Sequence, residues 1–192
     1  MLYATASQTV GPYLHIGLSG LDCADLTAEA PGLAGERIVI EGRVIDGNGD
    51  PVPDGMVEIW QANPAGRYRH PDDARDGAEQ ALVPGFTGFG RLPTQPDGSF
   101  RFVTVKPGPV PGPGGQPQAP HIVVSLFMRG LLKHLSTRLY FPDETQANAS
   151  DWALSQVPAE RRHTLVAQPA GAGKLQWQVV LQGQDETVFF DI

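Results

Sequence analysis

The stretch Gln118–Phe141, QAPHIVVSLFMRGLLKHLSTRLYF, decides how this chain folds. Ile122, Val124, Leu126 and Met128 alternate with Val123, Ser125 and Phe127, a period of two that sends the two sets to opposite faces of a strand. The alternation breaks at Arg129-Gly130 and resumes from His134 to Phe141, which predicts two strands joined by a bend. A two-stranded ribbon is marginal in water, so the rest of the chain has to supply more strands and a second layer.

Working outward, Glu36–Asp46 (ERIVIEGRVID) reads as a strand, and DGNGDPVPDG turns the chain, with Asn48-Gly49 as its most specific signal. Met56–Trp60 follows, with Val57 and Ile59 on one parity and Met56, Glu58 and Trp60 on the other; Glu58 is either a pocket or interface carboxylate or a solvent-facing one. Asp97-Gly98 turns into Ser99–Val105, where Phe100, Phe102 and Thr104 share a face. Further strands are expected at His163–Ala167, Leu175–Leu181 and Thr187–Asp191, helical turns at Ala149–Val157, and a short helix at Leu21–Ala30 capped by Asp22. Gln61–Arg91 is long, polar and without period, which marks a functional stretch, an interface or a concealed element. Lys106–Pro117 is a glycine-proline loop delivering the chain to His121. Eight or so short strands predict an all-β fold: an antiparallel β-sandwich with long loops, a half-closed barrel being the other solution of the same pattern. Residues 1–35 form an N-terminal arm, whose Tyr13, Leu14, Ile16 and Leu18 are too apolar for a free tail, and residues 36–192 form the sandwich domain.

Glycine (23) and proline (18) make up about a fifth of the 192 residues, against roughly 12% in average proteins, so the turns are many and the core, at 41% apolar content, is still ample. A net charge of -7, from 14 basic and 21 acidic residues, disfavours nucleic acid and anionic membranes as partners. Cys23 is the single cysteine, which leaves no internal disulfide to form. The opening MLYATASQTVGPY has neither a basic region nor an apolar core of leader type, and the expectation is a cytoplasmic protein.

Several kinds of chemistry find no support. No serine or cysteine has a nucleophile context, no glycine fingerprint follows a strand, and Gly112-Pro-Gly-Gly115 has proline where a phosphate cradle needs backbone donors. A His-x-His pair in a strand would aim two imidazoles from one face, but His121 is followed at that spacing by Val123. Tyr68 and His121 alone are too few donors for a protein-held metal, so His121 reads as a packed, hydrogen-bonded imidazole or as the remnant of a lost site. Tyr13 and His15 read as surface packing on the arm, and Arg67, Arg69 and His70 beside Asp72 and Asp73 as local ion pairs. Arg129, at the bend, can present a forked donor to a carboxylate.

Taken together, SQTVGPYLHIGL (7–18), DGNGDPVPDGMVEIWQANPAGRY (46–68), GFGR (88–91), DGSFRFVTVKPG (97–108), APHIVVSLFMRG (119–130), TRLYF (137–141) and ETVFFDI (186–192) resemble the intradiol ring-cleavage dioxygenases. That family is built on a β-sandwich, and its catalytic chains hold a non-haem Fe(III) with two tyrosines and two histidines. The matching positions here are Tyr68, Val110, His121 and Val123. The resemblance therefore implies a chain that binds no iron itself, an alpha type of chain in obligate assembly with a homologous beta chain that holds the Fe(III), in a higher alpha-beta oligomer. It implies cleavage of 3,4-dihydroxybenzoate by O2 to 3-carboxy-cis,cis-muconate at a site near the interface of the two chains. Gly11, Pro12, Tyr13 and Arg129 are the residues it assigns to the substrate cavity, Arg129 as the group that favours the substrate carboxylate, with the arm packed across the partner. The competing readings are a self-sufficient catechol-type dioxygenase, which Val110 and Val123 oppose, and a non-enzymatic β-sandwich interaction module.

Overall fold

A computed structural model of the chain describes residues 3, 5–18, 20, 21, 23–73, 75 and 82–191. In chain order these form α1 (Pro12–Leu18), β1 (Arg37–Ile45), β2 (Met56–Trp60), β3 (Phe89–Pro93), β4 (Ser99–Val105), β5 (Val110–Pro111), β6 (Pro117–Gln118), β7 (His121–Phe127), β8 (Leu135–Tyr140), α2 (Thr145–Ser150), α3 (Trp152–Ser155), a 3-10 helix at Ala159–Leu165, β9 (Gln168–Pro169) and β10 (Lys174–Val180). One four-stranded sheet runs β4-β1-β10-β9, a second runs β3-β2-β7-β8, and β5 pairs with β6 in a small ribbon.

The alternation read from the sequence sets which face of each sheet is buried. Ile122, Val124 and Leu126 of β7, with Val57 and Ile59 of β2 and Leu139 of β8, face one apolar core. Ile38, Ile40 and Val44 of β1, Phe100 and Phe102 of β4 and Trp177 of β10 meet them from the first sheet. Each such side chain taken fully from water contributes about 1.5–3 kcal/mol, so the shared core is what holds the two sheets together. Gln61 ties them at one end: just past β2, its Nε2 donates to the Val105 carbonyl at 2.9 Å and its Oε1 accepts from the Thr104 hydroxyl at 2.8 Å. A smaller cluster of Ala119, Tyr140, Leu154, Val157 and Leu165 packs α3 and the 3-10 helix onto the edge at β8. Asp151 organises it, capping α3 through Leu154 N–H at 2.8 Å while accepting from Ala119 N–H at 2.8 Å and the Tyr140 hydroxyl at 3.0 Å.

The expected all-β antiparallel sandwich needs correction: the fold is mixed α/β. Helices α1, α2 and α3 and the 3-10 helix are part of it, and β1 pairs with β10 in parallel, Val39 opposite Lys174 through Ile45 opposite Val180. Local periodicity carries no information about the direction of a partner 135 residues away, so parallel pairing was invisible to it. Three further elements differ. His163–Ala167 is not a strand: His163–Leu165 closes the 3-10 helix and Val166 makes a single bridge to Tyr140, the apparent alternation coming from Leu165 and Ala167, both buried. Thr187–Asp191 makes only the Ser136–Phe190 bridge. Leu21–Ala30 is no helix: Cys23 bridges Arg91, Asp25 bridges Val103, and Leu26 and Ala30 enter the core, while the expected cap Asp22 lies outside the described residues. Among the described residues no helix is long and apolar enough to cross a membrane.

Candidate functional site

Two places gather the residues singled out in the sequence, at opposite ends of β7 and about 20 Å apart by the rise of a strand. At the first, the register places His121 opposite Tyr140, Val123 opposite Arg138 and Trp60 opposite Val123, all on the face of the second sheet turned away from the core. Two loops cover this face. Asn63, buried, accepts at Oδ1 from Ala65 N–H (2.9 Å) and Arg67 N–H (3.0 Å) and so curls the chain back on itself. Gly66 takes φ +70° with the Pro109 carbonyl oxygen only 2.1 Å from where a Cβ would stand, and a Cβ on Gly108 would lie 2.4 Å from the Pro64 oxygen. The loops therefore cross backbone to backbone, and this crossing brings Tyr68 and Val110 to the same cleft.

The cleft, of about 620 Å³, is lined by Trp60, Tyr68, Val110, His121, Val123 and Arg138, with Asp73 and Arg75 at its side. Trp60 and Tyr68 stack with centroids 5.8 Å apart and planes 12° from parallel. Burial raises the Tyr68 phenol above its ordinary range. His121 is pushed down to about 4, chiefly by burial and then by the Arg138 charge, and its Nδ1 lies 2.8 Å from the Ala119 carbonyl it donates to. Asp73 is held down at about 2 by hydrogen bonds from Arg75, both 2.5 Å long, and also accepts from Tyr68 N–H at 2.8 Å. Arg138 donates to Gln118 Oε1 at 2.7 Å and stands 3.4 Å from the Tyr140 hydroxyl.

Tyr68, Val110, His121 and Val123 thus do line one cleft, but they offer a phenol, an imidazole and two isopropyl groups, with a guanidinium alongside. A ferric ion does not fit this set: two donors leave its coordination unfilled, and the neighbouring cation opposes its charge. Among the described residues no group of three or more His, Cys, Asp or Glu is placed to hold a metal.

At the other end of β7, Arg129 and Gly130 form the tip of the β7–β8 hairpin. Gly130 N–H donates to Thr9 Oγ1 at 2.7 Å, which fastens the chain just before Gly11-Pro12-Tyr13 to this tip. Residues 5–8 and Val10 lie along Phe127, Met128 and Leu131–His134. Tyr13 is 83% and Ile16 63% exposed on α1, so the helix turns apolar groups outward. Arg129 is 79% exposed, its Nε 2.5 Å from Asp54 Oδ2. Of His15 only the backbone, inside α1, is described. Glu58, on the outer face of the second sheet, is half-buried and paired with Arg91, whose Nε approaches Oε1 to 2.7 Å. Arg138 escaped the sequence reading, although TRLYF alternation puts it on the same parity as Tyr140 and so on the face shared with His121.

The fold, and a site with the four family positions in one cleft, are those of a ring-cleavage dioxygenase scaffold, and a family model described as Dioxygenase matches residues 11–183: the chain belongs to that family. The particular kind of chain is visible in its relatives. It is 46% identical to the protocatechuate 3,4-dioxygenase alpha chain of Burkholderia cepacia, over all of this chain and 98% of that one. To the protocatechuate 3,4-dioxygenase beta chain of the same organism it is 39% identical, over 80% of this chain and 67% of that one. The dioxygenase domain of a dioxygenase–carbohydrate-binding fusion from Streptomyces sp. SirexAA-E shares the fold, with a TM-score of 0.60 at 24% identity over 96% of this chain and 97% of that one.

Proposed function

We propose that this chain is the alpha subunit of a protocatechuate 3,4-dioxygenase, working in the cytoplasm with a beta subunit that holds the Fe(III). The observation that carries the reading is the cleft itself: a family scaffold in which Val110 and Val123 stand at two of the four metal positions, in a chain similar along its whole length to an alpha chain. The iron and the oxygen chemistry belong to the beta subunit. What remains for this chain is to complete the substrate cavity, and its hairpin tip has the right groups. Gly11, Pro12 and Tyr13 form one wall of that cavity, and Arg129 offers a planar fork to the substrate carboxylate. The Thr9–Gly130 hydrogen bond supports this, because it keeps wall and guanidinium on one side of the molecule. The outward Tyr13 and Ile16 support packing of the arm, residues 1–35, across the partner chain through α1, while Leu26 and Ala30 anchor the end of the arm in this chain's own core. In the reaction, O2 is inserted between the hydroxylated carbons of protocatechuate to give 3-carboxy-cis,cis-muconate. Orientation of the ring by Arg129 matters because a misplacement near 1 Å costs on the order of a hundredfold in rate.

The test is protocatechuate-dependent oxygen uptake by this chain alone and by this chain co-expressed with its beta partner. Uptake only in the co-expressed complex supports the reading; turnover by the isolated chain refutes it and revives the self-sufficient dioxygenase.

A further inference from the structure

The cleft over the start of β7 has no part in the function just described, yet it is built as a binding site. Its 620 Å³ falls within the range of small-molecule sites. The Trp60–Tyr68 stack supplies a flat aromatic wall, and Val110 and Val123 supply apolar floor. The charges are unevenly matched. Asp73 is neutralised by Arg75, and by Arg67 at 3.9 Å, so it offers little to a ligand cation. Arg138, by contrast, has no carboxylate within 4 Å among the described residues: its partners are the neutral Gln118 amide, the Tyr140 hydroxyl and the face of Phe190 at 5.9 Å. The other charged groups of the lining have partners of their own, Asp73 with Arg75 and Asp72 with His70 at 3.6 Å, so the Arg138 guanidinium stands beside the aromatic and valine walls as a receptor for a carboxylate, whose two oxygens match its parallel N–H groups.

We propose that this cleft is a metal-free binding site for a planar aromatic monocarboxylate, with the carboxylate forked by Arg138 and the ring enclosed by Trp60, Tyr68, Val110 and Val123. The substitution of two donors by valines, which makes the cleft unfit for iron, is what makes its floor suitable for a ring. This assignment does not rest on the alpha-subunit reading, and its test involves neither iron nor turnover.

The probe is 4-fluorobenzoate, followed by fluorine NMR during titration of the full chain, with circular dichroism to check that each variant is folded. The expected result is saturable binding of one probe per chain, weakened about tenfold or more by Arg138→Met and by a smaller factor by Arg138→Lys, which keeps the charge but loses the fork. Val123→Phe, which fills the floor and leaves the charge in place, is expected to weaken binding as well and stands as the test should Arg138→Met not fold. Cyclohexanecarboxylate is expected to bind more weakly than the aromatic probe. Absence of saturable binding, binding indifferent to either Arg138→Met or Val123→Phe, or equal affinity for the cyclohexyl acid overturns the proposal.

Discussion

Replacing Arg129 by alanine separates the substrate-binding role from the structural one, because the structure makes the structural cost small. Among the described residues the guanidinium has one charged partner, Asp54, and the two side chains are 79% and 39% exposed. An exposed ion pair of this kind contributes about 0–1 kcal/mol, so Arg129→Ala is expected to lower the melting temperature by no more than about 4 °C for a domain of this size. Loss of a hydrogen bond to the charged substrate carboxylate costs about 1.5–3 kcal/mol, which at about 1.4 kcal/mol per tenfold is roughly a ten- to hundredfold fall in kcat/KM for protocatechuate. Iron content of the alpha-beta complex should be unchanged. The assay is oxygen uptake with protocatechuate and with catechol, which lacks the carboxylate. The reasoning requires the protocatechuate value to fall while the catechol value holds. An equal fall for both substrates, or iron lost in step with activity, refutes it and gives Arg129 a structural role.

Gly42 faces Phe100 across the β1–β4 pair, where a Cβ would lie 2.1 Å from the ring, so Gly42→Ala is expected to destabilise by about 1–3 kcal/mol, read as a lower midpoint in urea unfolding. His121, held at about 4 against an ordinary 6.5, is less protonated in the folded than in the unfolded chain between those values. Stability should therefore decline as the pH falls from about 6.5 toward 4, by at most about 3 kcal/mol, and His121→Phe should flatten that slope in pH-dependent unfolding. Asp73 has the carboxylate form of the same linkage: with a folded value of about 2 against 3.8, its contribution is present above about 3.8 and lost as the pH falls through 2. Asp73→Asn should consequently make the acid limb below pH 4 shallower, measured by the same titration.

Where side chains alternate, the sequence spoke clearly: β2 and β4 fall at Met56–Trp60 and Ser99–Val105 as read, and β1, β7, β8 and β10 lie within a residue or two of expectation. Strand β3 hid in the long polar segment because Gly90 and Pro93 leave only Phe89 and Leu92 as apolar signals in five residues. Gly90 is there for a reason no local pattern reveals, since Leu26 and Ile59 crowd the space its side chain would fill. Helix α1 is seven residues long and contains Gly17, too short for a helical period to register. The site divides in the same way. Tyr68, Val110, His121 and Val123 were legible through the family motifs, whereas the cleft joining them depends on the crossing of two loops at Gly66 and Gly108. Arg138 became a candidate only once the β7–β8 register set it opposite Val123.

Iron stoichiometry tests the central claim most directly. Elemental analysis of this chain purified alone, and of the complex with its beta partner, should find no iron in the former and one iron per alpha-beta pair in the latter. Stoichiometric iron in the isolated chain, or two irons per pair, would mean that the cleft of Tyr68, Val110, His121 and Val123 binds metal after all, and would contradict the account.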